Sequence, residues 1–338
     1  MRTYVLCSTA VWACLSAGLL CAQNYKLKDK ILIGGSGGWD YLTVDDEGNR
    51  LYVSHNSEVD VVDLKTNKPA GKIAGLTRVH GIALAEGMKL GFISDGGANQ
   101  VVVFDIPSLQ VKNKIKAGTN PDGIVYDPYT KRVFAFNGRS NDATVIDAGT
   151  GNVVGTIPLG GKPEFPTSDG KGNVYDNIES KNEIVQIDAK NMTVKAHWPI
   201  APCESPSGMA IDTEHNRLFS VCDSKAMAVV DSETGKVVGT PEIGEHPDAA
   251  GYDPGTGFAF SSNGDGTLTV VKQHGGKYVV GQTVETEKGA RTMTLDRHSH
   301  TVYLATADFE AAPAATSANS RPRPQMKPDT FRILIVSQ

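Results

Sequence analysis

After the first two dozen residues, short apolar runs recur along this chain, four to six residues at a time, and each is cut off by Gly, Pro, Asn or Asp. None reaches helical length or carries a 3.6-residue period, so each predicts a short strand. One stretch shows the grammar. Asn120-Pro121-Asp122-Gly123-Ile124-Val125-Tyr126-Asp127 is an apolar strand closed by Asp, and the turn Pro128-Tyr129-Thr130-Lys131 follows it. Arg132 to Asn137 is a second strand, Ala143 to Asp147 a third, and Asn152 to Leu159 a fourth.

The same order of strands and turns repeats. The Asp that closes the first strand recurs as Asp45, Asp127, Asp169, Asp212, Asp253 and Asp296, with Ala85 in the second slot. A second anchor, closing the third strand, runs Asp63, Asp105, Asp147, Asp188, Asp231 and Lys272. Both registers advance by roughly 42 residues, the period of a four-stranded propeller blade. The expected architecture is an all-β, seven-bladed β-propeller with four antiparallel strands per blade, here called a to d from the axis outward. Blades start near Gly38, Thr77, Thr119, Gly161, Cys203, Glu245 and Gly289.

The ends complete the ring. The seventh unit stops after Phe331 to Val336, which matches strand c, and its strand d is missing. Tyr25 to Gly34 has the pattern of a strand d, so the N-terminal strand is expected to complete the last blade and leave no open edge. Between strands b and c of blade seven, 307–330 is an Ala/Pro-rich insertion whose composition favours an extended segment, read either as a lid over the mouth or as inert chain.

The first 22 residues read as a secretory signal, with Arg2 ahead of an apolar Val5–Leu20 core and a small-residue site at Ala22. A lipoprotein reading competes because Cys21 follows Leu19-Leu20, although Leu20 is not the small residue that lipidation prefers. The domain proper is then 23–338, in the periplasm or secreted. Cleavage leaves only Cys203 and Cys222, a candidate disulfide in an oxidising compartment, with copper ligation as the alternative. The formal net charge is −5, which argues against nucleic acid as a partner. No later stretch is long and apolar enough to span a bilayer, and the chain is expected to be monomeric.

At the level of motif the chain resembles the YVTN-repeat, or YncE-like, family of exported seven-bladed propellers. The namesake stretch stands as Leu51-Tyr52-Val53-Ser54-His55, with the Asp-ended strand Val59-Asp60-Val61-Val62-Asp63 after it. Related versions are Val133 to Asn137 and Leu218 to Cys222. The resemblance covers the mature chain and implies fold and export. It carries no catalytic residues across, and it implies a binding or surface protein, with propeller lactonases sharing the architecture. The family Asn after the motif stands at Asn137, where other repeats are read as His55, Asp95, Ile178, Cys222, Ser261 and Thr306.

The repeat also predicts where chemistry would sit. The residue five before each strand-a anchor opens that strand at the upper mouth of the channel, giving Asp40, His80, Asp122, Glu164, Ser207, Asp248 and Arg291. The positions just below are Gly, aromatic or apolar, as at Tyr41, Gly81, Gly123 and Phe165. Strand b ends at the same rim with His55, Asp95 and Asn137, and His246 precedes Pro247 in a d–a link. Carboxylates and imidazoles in this arrangement suit a divalent cation, with His55, His80, Asp40 and Asp95 as candidate ligands, or a cationic small molecule. Crowded carboxylates also raise one another's pKa and so supply a general acid or base. The competing reading is that a channel mouth is wet and therefore polar in any propeller.

Three functions follow from these residues: a binding protein for a small molecule or protein at the upper face, a metal-dependent lactonase-like hydrolase, and a protein scaffold. No cofactor signature other than a divalent metal is present, because Walker, Gly-x-Ser-x-Gly and His-Glu-x-x-His motifs are absent. His298-Ser299-His300 has metal-like spacing but falls in an a–b turn on the lower face, away from the mouth.

Overall fold

Asp63, Asp105, Asp147, Asp188 and Asp231 each close a third strand by accepting the backbone N–H three residues on, at 2.8–3.0 Å. These bonds hold their carboxyls below the usual carboxylate range, the backbone donor being the largest lowering cause at Asp63, Asp147 and Asp188 and the hydroxyls of Ser108 and Thr234 at Asp105 and Asp231. The first-strand anchors do the same work, as at Asp45 with Gly48 N and Asp127 with Thr130 N. Both Asp registers are thus turn chemistry.

In the computed structural model, which describes residues 24–45, 47–311 and 324–338, the strands make seven four-stranded antiparallel sheets. Blade three runs outward as Pro121–Asp127, Arg132–Asn137, Asp142–Asp147 and Val153–Pro158. The protein is a seven-bladed β-propeller. Strand b is buried along nearly its whole length in every blade, whereas an outer strand such as Lys68–Ile73 is exposed until its last residue. The apolar core lies between blades. Tyr52, Val59 and Ile73 of blade one, for example, pack against Val79, Ile93 and Phe104 of blade two. Among the described residues no helix is long and apolar enough to cross a membrane. The expected secretory signal, 1–22, lies outside the described residues.

Ring closure follows the expectation. Lys26–Leu32 pairs antiparallel with Arg332–Ser337, from Lys26 opposite Ser337 to Leu32 opposite Arg332. Tyr25, just ahead of that strand, is buried with its ring 5.1 Å edge-on from Phe260 of blade six. Cys203 and Cys222 are joined as a disulfide, Cα atoms 5.6 Å apart. It ties the entry of blade five to the end of its second strand and removes both thiolates as copper ligands. A loop of 19 residues closed in this way contributes about 3 kcal/mol in the chain-entropy treatment.

The described arms of the insertion are tied down at its base. Its two arms pair with each other: Phe309 bridges Met326, Glu310 N donates to Gln325 O, and Lys327 N donates to Asp308 O. Phe309 packs on Trp39, ring centres 5.9 Å apart, because Trp39 and Phe331 already form a stacked aromatic face there. Residues 312–323, which carry most of the Ala/Pro-rich stretch, lie outside the described residues.

One irregularity recurs at the upper rim. In six blades the first strand loses register immediately after its first pair. In blade one Trp39 faces His55 and Leu42 faces Val53, so Asp40 and Tyr41 oppose the single residue Ser54. This is a β-bulge, which re-aims the side chain it carries. In every case the bulge contains the rim residue: Asp40, His80, Asp122, Glu164, Ser207 or Asp248. In blade seven Arg291 stands just ahead of Thr292–Asp296. Four of the strands open on Pro, at Pro121, Pro163, Pro206 and Pro247, where a missing N–H is tolerated.

Candidate functional site

The seven rim residues converge. Asp40, His80, Asp122, Glu164, Ser207, Asp248 and Arg291 all line one open cavity of about 330 Å³ at the upper mouth. The links between strands add Arg78, Lys162, Glu179, Ser205 and Asp223 to its wall. The backbone at the rim is held from the side by polar residues of strand b in the preceding blade. Ser94 Oγ donates to Asp122 O, Asn177 Nδ2 to Ser207 O at 2.6 Å, and Ser262 Oγ to Arg291 O. The rim is therefore fixed on sheet, the more rigid way to position a site.

Tyr41 and Phe165, one step below Asp40 and Glu164, stack across the channel from blades one and four with ring centres 5.0 Å apart. The Tyr41 hydroxyl donates to Glu164 O at 2.9 Å, so the two rings form a braced aromatic floor. Neighbouring blades carry Gly at this level. A Cβ on Gly123 would lie 2.6 Å from Glu164 O, and one on Gly208 would lie 2.5 Å from Ala249 Cα. Close backbone approach around the axis thus leaves room for two large rings only.

Charge is layered by depth. The Asp122, Asp248 and Glu164 side chains are 19%, 20% and 25% exposed, whereas Lys162 and Arg291 are 42% and 47% exposed. His80 is buried, its Nδ1 2.6 Å from Asp40 Oδ2 and 3.6 Å from Asp122 Oδ1. Lys162 bridges Glu164, at 2.9 Å, and Glu179. Arg291 Nε lies 3.4 Å from Asp248 Oδ2. Arg78 has no carboxylate within 4.0 Å among the described residues, although it lines the wall.

These surroundings move the titrations. Burial pushes Glu164 up to about 7, against the pull of Lys162. Burial also lifts Asp248 to about 7, opposed by Arg291 and reinforced by Asp40 and Asp122. Asp122 rises for the same reason, with Asp40 beside it and His80 as the moderating charge. For His80, burial alone would lower the value, but its Asp40 hydrogen bond and the Asp122 charge outweigh burial and raise it. Near neutrality the cup thus holds carboxyls that readily gain or lose a proton.

Behind the cup sits Asp176, fully buried in strand b of blade four. Neither of its oxygens has a well-formed hydrogen bond. Burial holds its pKa well above the usual carboxylate range, and the nearby Glu164 backbone N–H offsets this only in part. The same slot in the other blades holds Val53, Ile93, Ala135, Ser220, Ser261 and Leu304. Asp176→Val is therefore expected to stabilise the protein by about 1–3 kcal/mol, the cost of an unsatisfied buried polar group. Thermal melts at pH 7 check this, and a variant that melts lower than the parent would rule it out.

Four of the expected site residues are not in the cup. His55, Asp95 and Asn137 each pair with the first residue of strand a, ahead of the bulge, so their side chains turn into the blade interior. His55 pairs with Asp60 at 2.8 Å and packs on Phe331. Asp95 accepts Thr77 N at 2.7 Å and Gln100 Nε2 at 2.8 Å. Asn137 donates to Asp142 and Thr144. The expected metal set of His55, His80, Asp40 and Asp95 thus does not assemble. The ligand atoms of Asp40, His80 and Asp122 do lie within 4.8 Å of one another, and those of His55, Glu58 and Asp60 form a separate group. His246 is exposed in a left-handed conformation, φ 53°, and lies outside the cavity wall.

Blade six needs a second correction. Its counterpart of Asn137 is Asn263, which faces Pro247, and not Ser261. Asn263 donates to Thr267 and Thr269 much as Asn137 does to its own third strand. The Asn at this position is a buried scaffold residue in both blades. On the lower face His300 pairs with Asp253, and His215 with Asp212, each at 2.8 Å.

No family profile and no curated protein matches the chain. Among solved structures it superposes on a chain of Kuenenia stuttgartiensis hydrazine synthase with a TM-score of 0.70 and 17% identity, covering 81% of this chain and 92% of that one. It also superposes on a chain of a mitotic checkpoint complex with a TM-score of 0.76 and 12% identity, covering 100% and 99%. What they share is the propeller. At such identities the likeness is one of fold, and the cup has to be read from its own residues.

Proposed function

We propose that this is an exported, monomeric binding protein that captures a small cation, a divalent metal ion or a protonated amine, in the cup at its upper mouth. The observation that carries this is the layering of charge. Six carboxylates face three permanent cations in the wall, and apart from the buried His80, which Asp40 and Asp122 share, the least exposed ionisable groups are acids. A cation would relieve repulsion among groups that otherwise keep protons near pH 7. Export is supported by the Cys203–Cys222 disulfide and by the apolar leader. Kinship with the YVTN-repeat propellers belongs to the same reading and rests on the repeat motif.

Calorimetric titration with Ca²⁺, Mn²⁺, Zn²⁺ and an alkylammonium salt tests it. One class is expected to bind at one site, with protons released at pH 6.5 and affinity rising from pH 6 to 8, because Glu164 and Asp248 must ionise. No binding of any of them at millimolar concentration would end the proposal.

A second reading, a metal-dependent hydrolase, is favoured by one feature, the Asp40–His80–Asp122 group with its ligand atoms within 4.8 Å. A Lewis-acidic ion there would activate water beside carboxyls able to act as a base. Turnover of lactones or esters that chelation abolishes would select it.

A further inference from the structure

We infer that the organic ligand of this cup is a zwitterion, a primary amine held among the deep carboxylates whose own carboxylate reaches Arg78 at the rim. This rests on the cation-binding reading above and adds the second charge. A pocket built only for cations gains nothing from an unpaired guanidinium on its wall, because like charges repel at short range. Lys162 and Arg291 are tied to wall carboxylates. Arg78 is not, and its rigid fork of donors suits a carboxylate.

The link before strand a sets where Arg78 stands. Arg78 stands two residues before its rim residue with φ 55°. Asn120, Ser205, His246 and Gly289 hold the same left-handed slot in other blades. Such a conformation favours Gly or Asn and costs a long side chain roughly 1 kcal/mol. Lys89, Lys131 and Lys225 adopt the same region in turns, so the conformation belongs to the link, and what bears on the ligand is that Arg78 lines the cavity without a carboxylate partner.

The inner layer supplies the other half. Asp40, Asp122 and Asp248 surround the level just above the Tyr41–Phe165 floor, and an ammonium group offers three donors to satisfy them. Aromatic rings beside a cation add attraction of about 0.5–2 kcal/mol. A cavity of about 330 Å³ is the size of a small-metabolite site rather than of a bare ion.

The test compares glycine, β-alanine, 4-aminobutyrate and 6-aminohexanoate with n-alkylamines of matching length, by calorimetry at pH 7.5. At one chain length the amino acid is expected to bind at least tenfold more tightly than its amine. Arg78→Met is expected to collapse that ratio toward one, and Arg297→Met on the lower face to leave it standing. If amines bind and every ratio stays near or below one, the zwitterion is wrong and the cation reading survives. If the ratio is high but indifferent to Arg78→Met, Arg78 is not the partner and the inference falls. If neither amines nor metal ions bind, the underlying reading fails with it.

Discussion

Removal of residues 24–33 is expected to abolish cooperative folding of the whole ring. The strand Lys26–Leu32 supplies the fourth strand of blade seven, and Tyr25 and Ile31 are buried at its two interfaces. Burying such side chains stabilises by about 1.5–3 kcal/mol each, and each ladder hydrogen bond adds about 0.5–1.5 kcal/mol. Together with the ion pair from Lys30 to Glu287, the loss is on the order of 10 kcal/mol, as large as the stability of a typical domain. It would also bare the Arg332–Ser337 edge, which invites pairing between chains. Circular dichroism melts and size-exclusion chromatography should report a broad, early transition and aggregation. A truncated protein that stays monomeric and melts sharply within a few degrees of the parent would refute this account of closure.

Asp122→Asn is expected to weaken cation binding by ten- to two-hundredfold, or about 1.5–3 kcal/mol for a lost charged hydrogen-bond partner. The amide keeps the shape of the carboxyl, and the Ser94 bond to the backbone O is untouched, so the loss of binding should not come from a loss of folded protein. The pH dependence supplies a second readout. A carboxyl whose folded pKa lies above its unfolded value lets the folded state hold the extra proton. Its contribution favours folding at low pH and is lost as pH rises through the folded value. Asp122, Glu164 and Asp248 are all of this kind. The stability gained by Asp122→Asn should therefore be greater at pH 8 than at pH 5. Binding equal to the parent, or a gain that shrinks with pH, would remove Asp122 from the site.

The ring was legible in the sequence because it repeats. The two Asp registers mark turns that every blade must make, so they located strands, blades and the missing seventh strand d. They also located the mouth: Asp40, His80, Asp122, Glu164, Ser207, Asp248 and Arg291 meet in one cavity. What the pattern could not carry was the direction of a side chain. His55, Asp95 and Asn137 end strand b at the same height as the rim, but they face strand a before its bulge and turn inward. A period of two along a strand does not reveal a bulge. Arg78 and Lys162 stand two positions ahead of His80 and Glu164, so the register that found the rim contained them too. Asp176 stood in plain view in an otherwise apolar or hydroxyl slot, and its burial without a partner needed the three-dimensional neighbourhood.

The bulges at the head of the inner strands have a consequence for how such a protein can change. An extra residue in a bulge has no partner of its own across the ladder, so its side chain bears little on the pairing of the strands. Here that freedom falls on the positions that face the mouth, occupied by Asp, His, Glu and Ser in six blades, with Arg ahead of the seventh. Selection can therefore rewrite what the mouth recognises one blade at a time while the anchors that hold the ring stay as they are. Specificity and foldability are written in separate residues.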